Sequence, residues 1–273
     1  MTTSAAGPTA IESSPTWRIA PSVPVATGVF IAYVVVVIGL MATAGVDYAD
    51  IFDTGANAFR AAVIPLIGGS LVLIAFLLWA RWDGVFRDPE RLPMSGLLWV
   101  PVVVFVVGIV AHLAIADWGA TSTDLLLAIV AAGVLVGFAE ETLFRGIILR
   151  SLRTNLRPEA WVMLISSVWF GFFHLTNLLV GSPASGVLLQ CIQASMAGVV
   201  LYLFRRVRGL LVMGIIAHAI WDMSVFLPPP SGTIALVNLG IQVLVSVSAV
   251  VAAIIIVRRD RRTTVTSTGL QAL

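Results

Sequence analysis

An all-α polytopic membrane protein, a bundle of about eight transmembrane helices, is the fold that three features of this sequence predict. The 273 residues are 59% hydrophobic and only 11% charged, against about 25% charged in soluble globular chains. The apolar residues fall into stretches near the roughly 20 residues that cross a bilayer core as helix. The 16 basic residues are all Arg. They concentrate in short links between those stretches, where they orient a membrane protein and give no nucleic-acid signal.

The elements follow in order. Residues 1–22, rich in Ser, Thr, Pro and Ala, read as a disordered N-terminal tail. The apolar run after them is too long for the core of a cleavable signal peptide, so no processing is expected at the small-residue pattern Ala42-Thr43-Ala44. The first span, 25–46, follows Pro21 and Pro24. The second, 61–82, ends in Trp79 and Trp82, which suit an aromatic belt. The third, 97–115, has Pro101 in its opening turns, where proline is tolerated, and Trp118 beyond its end. The fourth is 125–149. Pro158 and Glu159 suit the first turn of the fifth, 160–180. The sixth is 187–204. The seventh, 210–227, is stopped by Pro228, Pro229 and Pro230. The eighth is 234–257. The transmembrane domain is therefore placed at 23–258, with 259–273 as a polar C-terminal tail.

Charge sets the orientation. Arg81, Arg87 and Arg91 lie in one link; Arg150, Arg153 and Arg157 in another; Arg205, Arg206 and Arg208 in a third. Arg258, Arg259, Arg261 and Arg262 follow the last span, and Arg18 precedes the first. All fall on one side if the spans number eight. The other side has Arg60 against Asp47, Asp50, Asp53, Asp117 and Asp124. Positive-inside then puts both termini in the cytoplasm. These arginines and the Trp residues at span ends are read as membrane anchors. Cys191, the lone cysteine, can form neither a disulfide within the chain nor a thiolate cluster, and reads as a small buried residue.

One stretch breaks the apolar pattern. Ala139-Glu140-Glu141-Thr142-Leu143-Phe144-Arg145 puts three charges inside the fourth span, where charge is expensive and marks a functional site. The other strongly polar residues at comparable depth are His174, His218 and Asp222, in spans five and seven. At 1.5 Å per residue, Glu140 and His218 each lie about 15 Å from the arginine-bearing edge, and His174 about 20 Å. Glu141 and Arg145 are i,i+4 and can pair, as are His218 and Asp222. Glu140 and Glu141 point about 100° apart. Gly133 and Gly137 share roughly the face of Glu140 and admit a close neighbour helix. Phe170, one turn before His174, could wall a pocket. His112 has no carboxylate one turn away and reads as structural.

Such residues can hydrolyse an amide. A Glu with a nearby His holds a water, and the carboxylate takes its proton as the water attacks a carbonyl. The Glu141–Arg145 pair would neutralise one carboxylate. His218 with Asp222 would stabilise the oxyanion, Asp222 orienting the imidazole. Weaker readings are a Ser–His dyad from Ser166 or Ser167 with His174, which lacks a G-x-S-x-G elbow, and zinc on two His plus carboxylates, which lacks H-E-x-x-H. No cofactor is expected, and a divalent metal is not favoured.

These residues resemble the signature of the CPBP family, the group of CAAX protease-like and bacteriocin-processing intramembrane proteases: E-E-x-x-x-R, F-x-x-x-H, then H-x-x-x-N. Here they read Glu140 to Arg145, Phe170 to His174, and His218 to Asp222, within 125–225. The resemblance implies a glutamate-dependent endopeptidase. In it Glu140 and His174 activate water, Glu141 and Arg145 support the site, and His218 with residue 222 forms the oxyanion pocket. It implies a membrane-embedded or lipid-modified peptide or protein as substrate, in a prokaryotic plasma membrane. Asp222 departs from the commoner Asn, which can donate from its amide. Spans outside the motifs are expected to pack around the core and shape access. The competing functions are a proton- or ion-coupled transporter and a catalytically idle scaffold or immunity protein.

Overall fold

The computed structural model describes residues 17–82, 84–88, 94, 96–156, 158–228 and 234–270, which form helices and their links. Helices α1 (Val23–Thr43), α2 (Gly55–Ala80), α3 (Gly96–Ile115), α4 (Thr123–Arg153), α5 (Glu159–Val180) and α6 (Ala184–Arg208) are long and apolar enough to cross a membrane. So is Leu236–Arg261 within α8 (Ile234–Leu270), making seven such helices among the described residues. The expectation of eight full-length spans is thus met only in part. Helix α7 (Leu211–Phe226) has 16 residues, about 24 Å of helix against a core of about 30 Å.

Local chemistry sets the boundaries. Pro24 opens α1 without costing a hydrogen bond, because the first N–H groups of a helix have no partner inside it. Helix α2 begins earlier than hydropathy suggests, because the Thr54 side chain accepts from Asn57 N at 3.1 Å and caps its start. Its Pro65 lacks an N–H, and a π-helical segment, Phe59–Val63, lies just before it. Helix α4 is capped by Ser122, which accepts from Leu125 N. Gly209, with φ of 67°, turns the chain sharply from α6 into α7. Helix α8 runs to Leu270, so residues assigned to the polar tail continue the last helix.

Hydrogen bonds between links and helix ends join the helices at both ends of the bundle. At the arginine-bearing end, Arg18 N donates to Ala80 O at 3.1 Å, and Leu211 N donates to Phe86 O at 3.0 Å. At the other end, Asp117 N donates to Pro228 O at 2.9 Å. The outward faces stay apolar: Leu78 is 75% exposed and Leu236 74%, as lipid-facing positions should be.

Two sequence readings at the arginine end are corrected. Trp82 is buried, donating its indole N–H to Ile19 O at 2.7 Å, so Ile19 is packed rather than part of a loose tail. Arg205 and Arg206 are buried too, and are not interfacial anchors. Both converge on Asp88: Arg205 Nη2 lies 2.5 Å and Arg206 Nη1 3.0 Å from its carboxylate, with Arg153 Nη1 at 2.9 Å. Burial alone would raise the Asp88 carboxyl, but hydrogen bonds and charge from Arg205 and Arg153 outweigh it and hold it at about 2. Arg153 also pairs with Glu159, which accepts from the Tyr202 hydroxyl at 2.8 Å. This ion cluster ties the link after α2 to α4, α5 and α6.

Candidate functional site

The site is built where α4 and α7 approach most closely, and small residues make that approach possible. A methyl group on Gly137 would lie 2.6 Å from Ile215 O, and one on Gly133 would lie 2.9 Å from Ala219 O. One on Gly214 would lie 2.9 Å from Glu141 Oε2. The facing helix therefore needs these glycines bare. After Glu141 the helix passes into a π-helical segment, Thr142–Ile148. Such segments gather at functional sites because the wider turn re-aims side chains.

Glu141 and Arg145 are fully buried and paired, Arg145 Nη1 to Glu141 Oε1 at 2.8 Å. Arg145 Nη2 also donates to Gly198 O at 3.1 Å, which fixes α4 against α6. Its guanidinium lies 4.4 Å from the centre of the Phe170 ring. Phe170 in turn meets both imidazoles edge-on, with centroids at 5.2 Å from His174 and 5.7 Å from His218. It is the aromatic spacer between them.

The two histidines differ in what holds them. His174 sits where the α-helical part of α5 ends at Phe173 and a 3-10 segment, His174–Val180, begins. The sequence placed it on a continuous helix; instead it marks the break. Its Nδ1 lies 3.0 Å from Phe170 O. A carbonyl can only accept, so Nδ1 carries the proton and Nε2 is left basic in the neutral ring. His218 Nδ1 lies 3.1 Å from Glu141 Oε1. The carboxylate again fixes the proton on Nδ1, so Glu141 orients this imidazole. The expected orienter, Asp222, instead stands 3.5 Å from Nε2, and Glu140 Oε2 stands 3.8 Å from that nitrogen. The second distance is too long for a hydrogen bond.

Glu140, His174, His218, Asp222 and Phe170 all line one cavity of about 460 Å³. Glu141, a third of a turn away, does not line it, in keeping with its divergent direction. Ser166 and Ser167 are buried but do not line the cavity, which leaves the Ser–His dyad without geometry. Cys191 is a buried free thiol. His112 is buried against Trp221, 3.4 Å from Ser224 Oγ, and lies off the cavity. Among the described residues no set of three His, Cys, Asp or Glu is arranged to hold a metal.

Several cavity residues were missed from sequence. Tyr33 of α1 and Gln242 of α8 reach in from outside the motif-bearing spans. Asn177 Nδ2 donates to Tyr48 Oη and to Gln190 Oε1, each at 3.0 Å, and forms an uncharged polar cluster on the same cavity. Burial and the charges of Glu140 and Asp222 push the Tyr48 phenol up, against the hydrogen bond with Gln190. The signal available was a polar tip in an apolar span, Gln190 and Gln193 standing i,i+3 on one face.

No curated protein and no solved structure matches the chain. Residues 122–224 match a family described as type II CAAX prenyl endopeptidase, Rce1-like. That stretch opens at the N-cap of α4 and closes within α7, so it spans the helices that carry the buried acids and imidazoles. The chain is thus a helical membrane protein containing a CAAX protease-like domain of the Rce1-like type.

Proposed function

We propose that this protein is an intramembrane endopeptidase that hydrolyses a peptide bond of a membrane-embedded or lipid-modified peptide or protein. The observation that carries the reading is Glu140. It is a buried carboxylate on a cavity it shares with His174 and His218, with Oε2 lacking a hydrogen-bond partner among the described residues. An acceptor left open in a site of this kind suits a water molecule. The family match favours the same chemistry.

In the proposed reaction a water held by Glu140 and His174 Nε2 attacks the scissile carbonyl carbon. Its proton passes to the Glu140 carboxylate, and the carbonyl π electrons move onto oxygen. The tetrahedral intermediate collapses by breaking the C–N bond, and Glu140 returns the proton to the departing amine. His218, held through Nδ1 by Glu141, meets the developing oxyanion as an imidazolium whose Nε2–H donates to it, and Arg145 offsets the Glu141 charge. No step requires a metal.

The membrane arrangement belongs to the same proposal. We read helix α7 as an eighth crossing; the hydrogen bonds from its two ends to opposite ends of the bundle support this. Eight crossings put both termini on one side, and the arginines make that side cytoplasmic.

The test uses the full chain reconstituted in lipid, a panel of membrane-associated peptides and the Glu140→Ala and His174→Ala variants. Cleavage by wild type that survives a chelator and falls about 100- to 10,000-fold in Glu140→Ala supports the reading. Ion flux lost in Glu140→Ala with no peptide cleaved contradicts it and favours transport.

A further inference from the structure

Two residues that line the cavity each carry a buried polar atom without a hydrogen-bond partner. Of its buried side-chain polar atoms, those with no hydrogen-bond partner among the described residues are Glu140 Oε2 and the Tyr33 hydroxyl. One is an acceptor; the other can donate. Buried polar groups are nearly always paired, so an unpaired one in a cavity asks for a ligand. A peptide under attack by water supplies the complement: a water proton for the carboxylate and a carbonyl oxygen for the hydroxyl.

The hydroxyl is held in place. Tyr33 is fully buried in α1. A methyl group on Gly69 of α2 would lie 2.5 Å from Tyr33 Cε2, so only the bare glycine lets the ring lie there. Phe173 packs on it with a centroid distance of 6.1 Å. The ring is therefore fixed by packing on α2 and α5, as a preorganised donor must be.

The remaining donors at the site explain the need. Asp222 as a carboxylate cannot donate. His218 commits Nδ1 to Glu141, and its Nε2 faces the Asp222 and Glu140 carboxylates. When the oxyanion forms, Glu140 already holds the water's proton, but the Asp222 carboxylate competes for His218 Nε2, so a second donor from another wall of the cavity serves the oxyanion. We infer that the Tyr33 hydroxyl is that donor, a catalytic group from the first helix that hydrogen-bonds the carbonyl oxygen as it becomes an oxyanion. Residue 33 lies outside the matched stretch 122–224, so this contribution comes from the chain's own N-terminal helix. The inference rests on the endopeptidase reading above.

The test is Tyr33→Phe in the reconstituted full chain, with Glu140→Gln alongside and a peptide that wild type cleaves. Phenylalanine keeps the ring and removes only the oxygen. The expected result is a fall in kcat of about 100- to 1,000-fold with KM within about threefold, as for loss of one oxyanion donor. The melting temperature should be equal or higher, since an unpaired buried hydroxyl has gone. Activity lost in Glu140→Gln but within about twofold of wild type in Tyr33→Phe overturns the inference and leaves the endopeptidase reading standing. An effect confined to KM also overturns it, and makes Tyr33 a binding contact. Absence of cleavage by wild type overturns both.

Discussion

At the residue scale, Glu141 and Arg145 are the pair on which the site's geometry depends. Both are fully buried, and Glu141 Oε1 serves Arg145 and His218 together. Arg145→Ala would leave a buried carboxylate without its guanidinium, a loss on the order of 3–5 kcal/mol. Thermal unfolding in detergent should show a markedly lower melting temperature, and an unchanged one would deny the pair its structural role. Asp222→Asn replaces an acceptor with a group that can also donate. It should retain or raise cleavage, and a loss comparable to Glu140→Ala would show that the carboxylate itself is required. The motif residues were legible because charge in an apolar span is rare and its spacing is countable. What could not be read was partnership across helices. His218 and Asp222 are close in sequence, yet the partner of Nδ1 is Glu141, 77 residues away. Tyr33 escaped notice because a tyrosine among valines looks like ordinary packing until its hydroxyl is found unpaired.

At the element scale, the contact between α4 and α7 carries the site. Gly137→Val would drive side-chain atoms into the backbone of α7 at Ile215 and Ala219. Overpacking of this kind costs about 1–3 kcal/mol and shifts the backbone. The expected outcome is a protein that inserts and folds but cleaves much more slowly. Full activity in Gly137→Val would mean that the helices need not be this close. Hydropathy located the helices well, since each apolar stretch corresponds to one. It placed their ends less well, because caps and breaks are set by single side chains. Thr54 starts α2 early, and α5 leaves α-helical geometry at His174. The short α7 is the same lesson: apolar length gave a span, while Leu210 and Leu227 in extended conformation fix 16 helical residues between them.

At the scale of the whole molecule, the ion cluster on Asp88 joins the link after α2 to α4, α5 and α6. Composition showed arginines at one edge but not that some of them are buried. A basic residue next to an apolar span looks the same whether it faces headgroups or an acid from another link. The Asp88 carboxyl titrates lower in the folded protein, at about 2, than its ordinary value of 3.8. Its contribution is therefore complete above about pH 4 and is lost as pH falls toward 2, a change of about 2 kcal/mol. Unfolding midpoints measured between pH 6 and pH 2 should fall, and Asp88→Asn should begin lower and flatten that slope. An Asp88→Asn protein with the wild-type acid profile would mean that the cluster does not hold the bundle together.

Peptide hydrolysis as proposed turns on Glu140 taking the proton of a water inside the bundle. The most direct measurement is single-turnover cleavage of one membrane-associated peptide by wild type and Glu140→Gln, at matched folding and lipid composition. The expected result is a slowing of about 100-fold or more in Glu140→Gln, with peptide binding retained. Cleavage by Glu140→Gln within about threefold of wild type would contradict it.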